Sequence, residues 1–153
     1  MDAVTYPQPA VGEFVSTRLV PVRVPHDAQP WASRFRVQWT PTLVTLGPEG
    51  EEHHRTVGFL PPEELVASLS LAIAKCHFDA QRFGEALEVL DRLLREHPET
   101  KAVPEAIYYR GVAAFKHTND PAALRAAYDR LAADHPSSEW AQRAEPYRLI
   151  EPA

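Results

Sequence analysis

One thiol and seven imidazoles are the groups in this 153-residue sequence with the most reactive potential. A dithiol–disulfide cycle passes through a mixed disulfide and needs a second sulfur, yet Cys76 is the single cysteine. It falls on the apolar stripe of a helix, where a cysteine packs as a small buried hydrophobe. Lys75 and His77 flank it but point elsewhere around a helix, so they do little to lower its pKa. His53 and His54 are adjacent in a strand-like run. They should face opposite sides of a solvated hairpin and cannot converge on one metal ion. His97 and His135 each precede a proline at a helix end, where a cation complements the helix dipole. Metal-binding helix motifs, phosphate loops, nucleophile elbows and dinucleotide glycine motifs are all missing. The sequence therefore assigns no catalytic residue, no metal ligand and no cofactor.

Composition narrows the class further. Hydrophobic residues make up 44%, charged residues 24%, and the net charge is −5. That balance suits a globular protein and argues against nucleic-acid binding, which uses basic patches. No apolar run approaches the roughly 20 residues of a membrane span, and Met1–Ala10 lacks the basic-then-apolar order of a signal peptide. A cytoplasmic protein without nucleic-acid or membrane partners is the expectation.

Fifteen prolines and six glycines punctuate the elements. Val11, Phe14 and Val15 sit at helical spacing between Ala10 and Arg18. Leu19–Val24 reads as a strand, with Pro21 at its start or edge. His26 and Asp27 are placed to cap a short helix through Phe35. Pro41–Leu46 reads as a buried strand, Gly47-Pro48-Glu49-Gly50 as a turn, and Glu52–Gly58 as its antiparallel partner. The acids Glu49, Glu51 and Glu52 read as solvated surface. Pro61-Pro62-Glu63-Glu64 opens a helix carrying Leu65, Val66, Leu69, Ala72, Ile73 and Cys76 on one stripe. Beyond it the chain reads as helix only. Arg82–His97 and Pro104–Lys116 come first, then a helix opened by Asn119-Asp120-Pro121, then a short one capped by Ser137-Ser138.

The helical half repeats itself. DRLLREHP from Asp91 recurs as DRLAADHP from Asp129, 38 residues later, with five of eight positions identical. Ala86 and Ala123 precede the two copies as small residues where helices can approach closely. With Arg82-Phe83-Gly84-Glu85-Ala86, Ile107, Gly111, Phe115, Pro98 and Pro136, these residues resemble the tetratricopeptide family from about Leu71 to Pro136. The second repeat is about one residue longer in its second helix. The resemblance implies a protein-binding scaffold with a peptide in its groove. Two repeats cover little of their own apolar surface, so packing on the α/β half or forming a homodimer is the stronger expectation.

Phe35-Arg36-Val37-Gln38-Trp39-Thr40-Pro41-Thr42-Leu43 closes a short helix on an aromatic residue and opens a strand with Thr-Pro. Together with the hairpin ending in Gly58 and the closing helix, this looks like the later part of a thioredoxin-like domain, over about Met1–Lys75. The resemblance implies a cis bond at Pro41. It makes Thr40 and Pro41 the substrate-facing pair with Trp39 beside them, although a core position would suit Trp39 as well. Gly58 would leave room for an incoming polypeptide. In that family the first strand and the Cys-x-x-Cys motif precede the first helix, and the strand lies between those read here at Leu19–Val24 and Thr42–Leu46. Three explanations stand: an upstream start, a truncation whose two strands pair directly, or a strand supplied by another chain. The first is preferred, with an apolar strand and a Cys-x-x-Cys expected upstream of Met1.

The resulting expectation is a partial thioredoxin-like α/β domain (residues 1–76) followed by all-α tetratricopeptide-like hairpins (77–153), sharing the 61–77 helix. By resemblance the chain is a member of the thiol–disulfide oxidoreductase family, redox-inactive as written. Its partner would be a disulfide-bearing protein or a peptide. The alternative is a non-catalytic binding module using both surfaces.

Overall fold

The computed structural model describes residues 1–151, which fall into two compact units, Met1–Leu69 and the stretch from Ser70 on. The first unit comprises α1 (Pro9–Arg18), α2 (Trp31–Arg34), β1 (Thr42–Leu46), β2 (Glu52–Val57) and the start of α3 (Pro62–Asp79). Proline begins α1, where its missing N–H would have had no helical partner. The stripe read from the sequence faces inward. Val11, Leu65 and Leu69 are buried, and Met1, Phe14, Val15, Leu19, Leu43, Leu60 and Val66 pack around them. Thr5 is fully buried beside them, and its hydroxyl donates to the Leu60 carbonyl at 2.6 Å, which satisfies a polar group that would otherwise be costly to bury.

The hairpin forms as its turn residues require. Gly50 takes φ +82°, a left-handed conformation that glycine adopts without steric cost, and the Gly47 N–H donates to the Glu51 carbonyl at 2.8 Å. Thr42 pairs with Val57 and Thr45 with His54, and a register shift follows at Leu46.

Four expectations in this unit are corrected. Leu19–Val24 forms no strand: the sheet has two strands, and Val20 and Val22 are 92% and 79% exposed. Extended backbone is held by a neighbour that takes its N–H and C=O groups, and among the described residues Val20–Val24 has none. For the same reason β1 is half-buried rather than buried. α2 is a single turn that His26 and Asp27 do not cap. Its N-cap is Pro30, and the residue before a proline is disfavoured in helical conformation, so the helix cannot begin earlier. His53 is not solvated, because its side chain is 8% exposed with Nε2 3.0 Å from Glu51 Oε1. His54 likewise lies 3.0 Å from the Ser68 hydroxyl.

The second unit contains the remainder of α3, then α4 (Phe83–Glu96), α5 (Val103–Thr118), α6 (Ala122–Asp134), α7 (Glu139–Ala144) and a 3-10 turn (Glu145–Leu149). Consecutive helices from α4 to α7 pack on one another. The sequence repeat is a repeat of geometry. His97 closes α4 at φ −131°, ψ 52° and His135 closes α6 at φ −138°, ψ 50°, and their N–H groups reach Leu93 and Leu131 carbonyls at 2.9 Å. The Ser138 hydroxyl caps α7 by accepting the Ala141 N–H at 3.1 Å, whereas the N-cap of α6 is Pro121 and the Asp120 carboxylate, one residue earlier, accepts the Ala122 N–H at 2.9 Å. Gly111 permits a close approach of α5 and α6. A Cβ there would collide with that of Ala127 and stand 3.2 Å from the Ala123 carbonyl.

An aromatic contact ties the C-terminal 3-10 turn back to α5. Tyr147, in the 3-10 turn, stacks on Tyr108 of α5, and their hydroxyls are 3.2 Å apart. Burial, and then this hydrogen bond, push the Tyr147 phenol up to about 12 from 10.0. A pKa raised by folding contributes stability that is complete below pH 10 and is lost as pH rises toward 12. Titration followed at 295 nm should therefore show a phenol ionising near 12, absent in Tyr147→Phe. A spectrum in which that substitution leaves the highest phase unchanged would rule out the assignment.

Candidate functional site

The segment between α2 and β1 is set by local geometry. Phe35 ends α2, Arg36 turns the chain at φ +49°, and the Val37 N–H returns to the Ala32 carbonyl at 3.0 Å. The chain then runs outward through Gln38, Trp39 and Thr40 before Pro41 leads into β1. The Thr42 hydroxyl donates to the Trp39 carbonyl at 2.5 Å, which ties the segment to the strand. From the other strand the Gly58 N–H donates to the Pro41 carbonyl at 2.8 Å. Trp39, Thr40, Pro41 and Gly58 are thus brought together, and the Thr40–Pro41 bond is cis.

Trp39 is no core residue: it is 69% exposed. With His26, Val37, Gln38 and Thr40 it lines an open depression of about 220 Å³. Among the described residues, neither the N–H nor the C=O of Thr40 has a hydrogen-bond partner in the chain. Gly58 sits at φ +97°, and a Cβ on it would meet nothing within 4 Å, so the glycine serves the backbone conformation and borders open space. Phe59 beside it is exposed as well. His26 and Gln38 were not foreseen at this place. Gln38 adjoins Trp39 in sequence, whereas nothing local marks His26.

An open depression holding one indole, one hydroxyl, one amide and one imidazole has no carboxylate and no thiol among its lining residues. Its physical aptitude is contact: apolar area from Trp39 and unpaired backbone groups at Thr40. Cys76 belongs to the other unit, toward the end of α3. It is half-buried rather than buried and forms no disulfide. Next to it, Lys75 pairs with Glu105 at 2.8 Å and the His77 Nδ1 accepts from Arg82 Nε at 3.1 Å. Burial, followed by the Arg82 charge, lowers the His77 pKa from its ordinary value. Among the described residues no three metal-ligating side chains cluster, and no helix is long and apolar enough to cross a membrane.

A second concentration of aromatic surface lies in the helical unit. Phe78 of α3, Tyr109 of α5 and Trp140 of α7 follow one another at ring separations of 5.3 and 5.9 Å. Lys75 Nζ stands 5.3 Å from the Tyr109 ring, and the Arg143 guanidinium 4.6 Å from that of Trp140.

Comparison with known proteins agrees with this division. Residues 3–73 match the family of the thioredoxin-like domain, and residues 69–100 and 105–138 match the tetratricopeptide repeat. No curated protein and no solved structure matches the chain. The order of elements, the hairpin behind Pro41 and the repeated helix ends meet in one description: the chain carries a thioredoxin-like domain followed by tetratricopeptide repeats.

Proposed function

We propose that the thioredoxin-like unit binds an extended polypeptide at Trp39, Thr40, Pro41 and Gly58. In this reading the chain belongs to the thiol–disulfide oxidoreductase family by descent but performs no dithiol exchange with its own residues. The observation that supports binding is the pairing of a 69%-exposed indole at Trp39 with a Thr40 backbone that has no partner among the described residues. A bound strand would take those backbone groups and cover the ring, the mode of recognition by strand addition. The reading on redox chemistry rests on the count of one cysteine.

Two measurements test the proposal. With a reduced, carboxymethylated unfolded polypeptide as probe, amide chemical shifts should change first at Trp39, Thr40 and Gly58. In an insulin-reduction assay the 153-residue chain should not exceed the uncatalysed rate. Turnover above that rate would overturn the redox part, and shifts confined to other residues would overturn the site.

The aromatic row Phe78, Tyr109 and Trp140 favours a second reading, in which the helical unit holds a peptide. Shifts concentrated at Tyr109 and Trp140 in the same titration would select it.

A further inference from the structure

Among the described residues, β1 carries a strand on one side only. Because the Gly58 N–H meets the Pro41 carbonyl, the odd-numbered positions Pro41, Leu43 and Thr45 turn their backbone groups toward β2. Alternation along a strand then turns the N–H and C=O groups of Thr42 and Val44 to the open edge. An unpaired edge of this kind is a template for another strand.

The same unit holds a segment suited to it. Among the described residues, no backbone group from Val20 to Val24 has a hydrogen-bond partner. Leu19 packs on the core and Arg23 holds Asp2 through two hydrogen bonds of 3.1 and 3.0 Å. Val20, Val22 and Val24 are left 92%, 79% and 41% exposed. Pro21 has no N–H, which breaks the pairing edge formed by residues 19, 21 and 23. The edge formed by residues 20, 22 and 24 is complete. A segment able to pair on one side only is an outer strand in waiting.

We infer that two copies of the chain exchange these parts: Leu19–Val24 of each adds to the free edge of β1 in the other. The chain supplies both the open edge and the orphan segment, and the two do not pair with each other within one copy. Reciprocal exchange satisfies both at once and closes with two-fold symmetry, so it stops at a dimer. Thr42–Leu46 carries no charged residue, and Leu19–Val24 carries only Arg23, already engaged by Asp2. The net charge of −5 is therefore not concentrated at the joint. The contact uses the backbone of Thr42 and Val44 and does not include Trp39, and its tests are read without a polypeptide probe.

Sedimentation equilibrium of the 153-residue chain between micromolar and submillimolar concentration should show mass rising toward twice 17.2 kDa. Val22→Pro removes a donor from the complete edge in both reciprocal contacts, and it should raise the dimer dissociation constant about tenfold or more. Val22 lies in an exposed, non-helical segment, so the circular dichroism of the variant should match the parent. In a Cys76→Ala background, a Val22→Cys copy mixed with a Leu46→Cys copy should be joined by a short bismaleimide into a species of doubled mass. A monomer at every concentration overturns the inference, whether or not another strand fills the edge. So does a dimer that Val22→Pro leaves intact, or one in which the mixed cross-link fails to form.

Discussion

Leu93→Ala and Leu131→Ala are each expected to cost about 2–5 kcal/mol of stability, the range for emptying a leucine site that cannot collapse. The two residues occupy the same place in the repeat, 38 positions apart, and are 1% and 0% exposed. Each also lends its carbonyl to the N–H of the histidine that closes its helix, and alanine preserves that bond, so the loss reports side-chain packing alone. Urea unfolding followed by helical circular dichroism measures it. Ala132 provides the contrast. It occupies the position of Leu94, yet Leu94 is 9% exposed and Ala132 is on the surface. Ala132→Leu should therefore change stability by no more than about 0.5 kcal/mol, whereas Leu94→Ala should be costly. The repeat is symmetric in sequence but not in environment. α4 is followed by the 16-residue α5, whereas α6 is followed by a helix of six residues. A loss below 1 kcal/mol at both leucines would mean that the two hairpins are not packed as described.

The helical half could be read from sequence because its signals are local. The leucine stripe, the proline stops and the helix-start residues Asp120 and Ser138 act within one or two turns, and the structure places them where the spacing does. Leu19–Val24 shows the opposite case. Its residues favour a strand, but a strand is a relation between two segments, and one segment cannot reveal that its neighbour is missing. The half-buried state of β1 and the burial of His53 have the same origin, in contacts the local pattern does not encode. Arg125 is a further instance. Its guanidinium donates to the Arg148 and Ile150 carbonyls at 3.0 and 2.8 Å, across more than twenty residues that give no hint of it. The proximity of the candidate residues has a simple reason. Trp39, Thr40 and Pro41 are consecutive, and a hairpin that pairs Thr42 with Val57 necessarily brings Gly58 back to Pro41. His26 reaches the same depression through a loop without regular structure, and no spacing rule could place it.

Trp39→Ala is expected to weaken binding of an unfolded polypeptide by about thirtyfold while leaving the fold intact. The two halves of that expectation have different grounds. At 69% exposure the indole contributes little to the core, so stability should move by no more than about 0.5 kcal/mol. A tryptophan at the centre of a contact typically contributes about 2 kcal/mol, which corresponds to a factor near thirty in affinity. Its position supports a central role: its carbonyl is fixed by the Thr42 hydroxyl, so the ring is presented from an anchored backbone rather than a loose loop. Trp39→Tyr should recover part of the affinity, since a smaller ring still offers an apolar face. Trp31→Ala serves as the control, because Trp31 is also exposed but stacks on Phe35 within α2 and does not line the depression. Fluorescence anisotropy with a labelled, carboxymethylated polypeptide reads all three variants. Equal losses at Trp31 and Trp39 would indicate adhesion to any exposed ring, and an unchanged affinity in Trp39→Ala would remove the site.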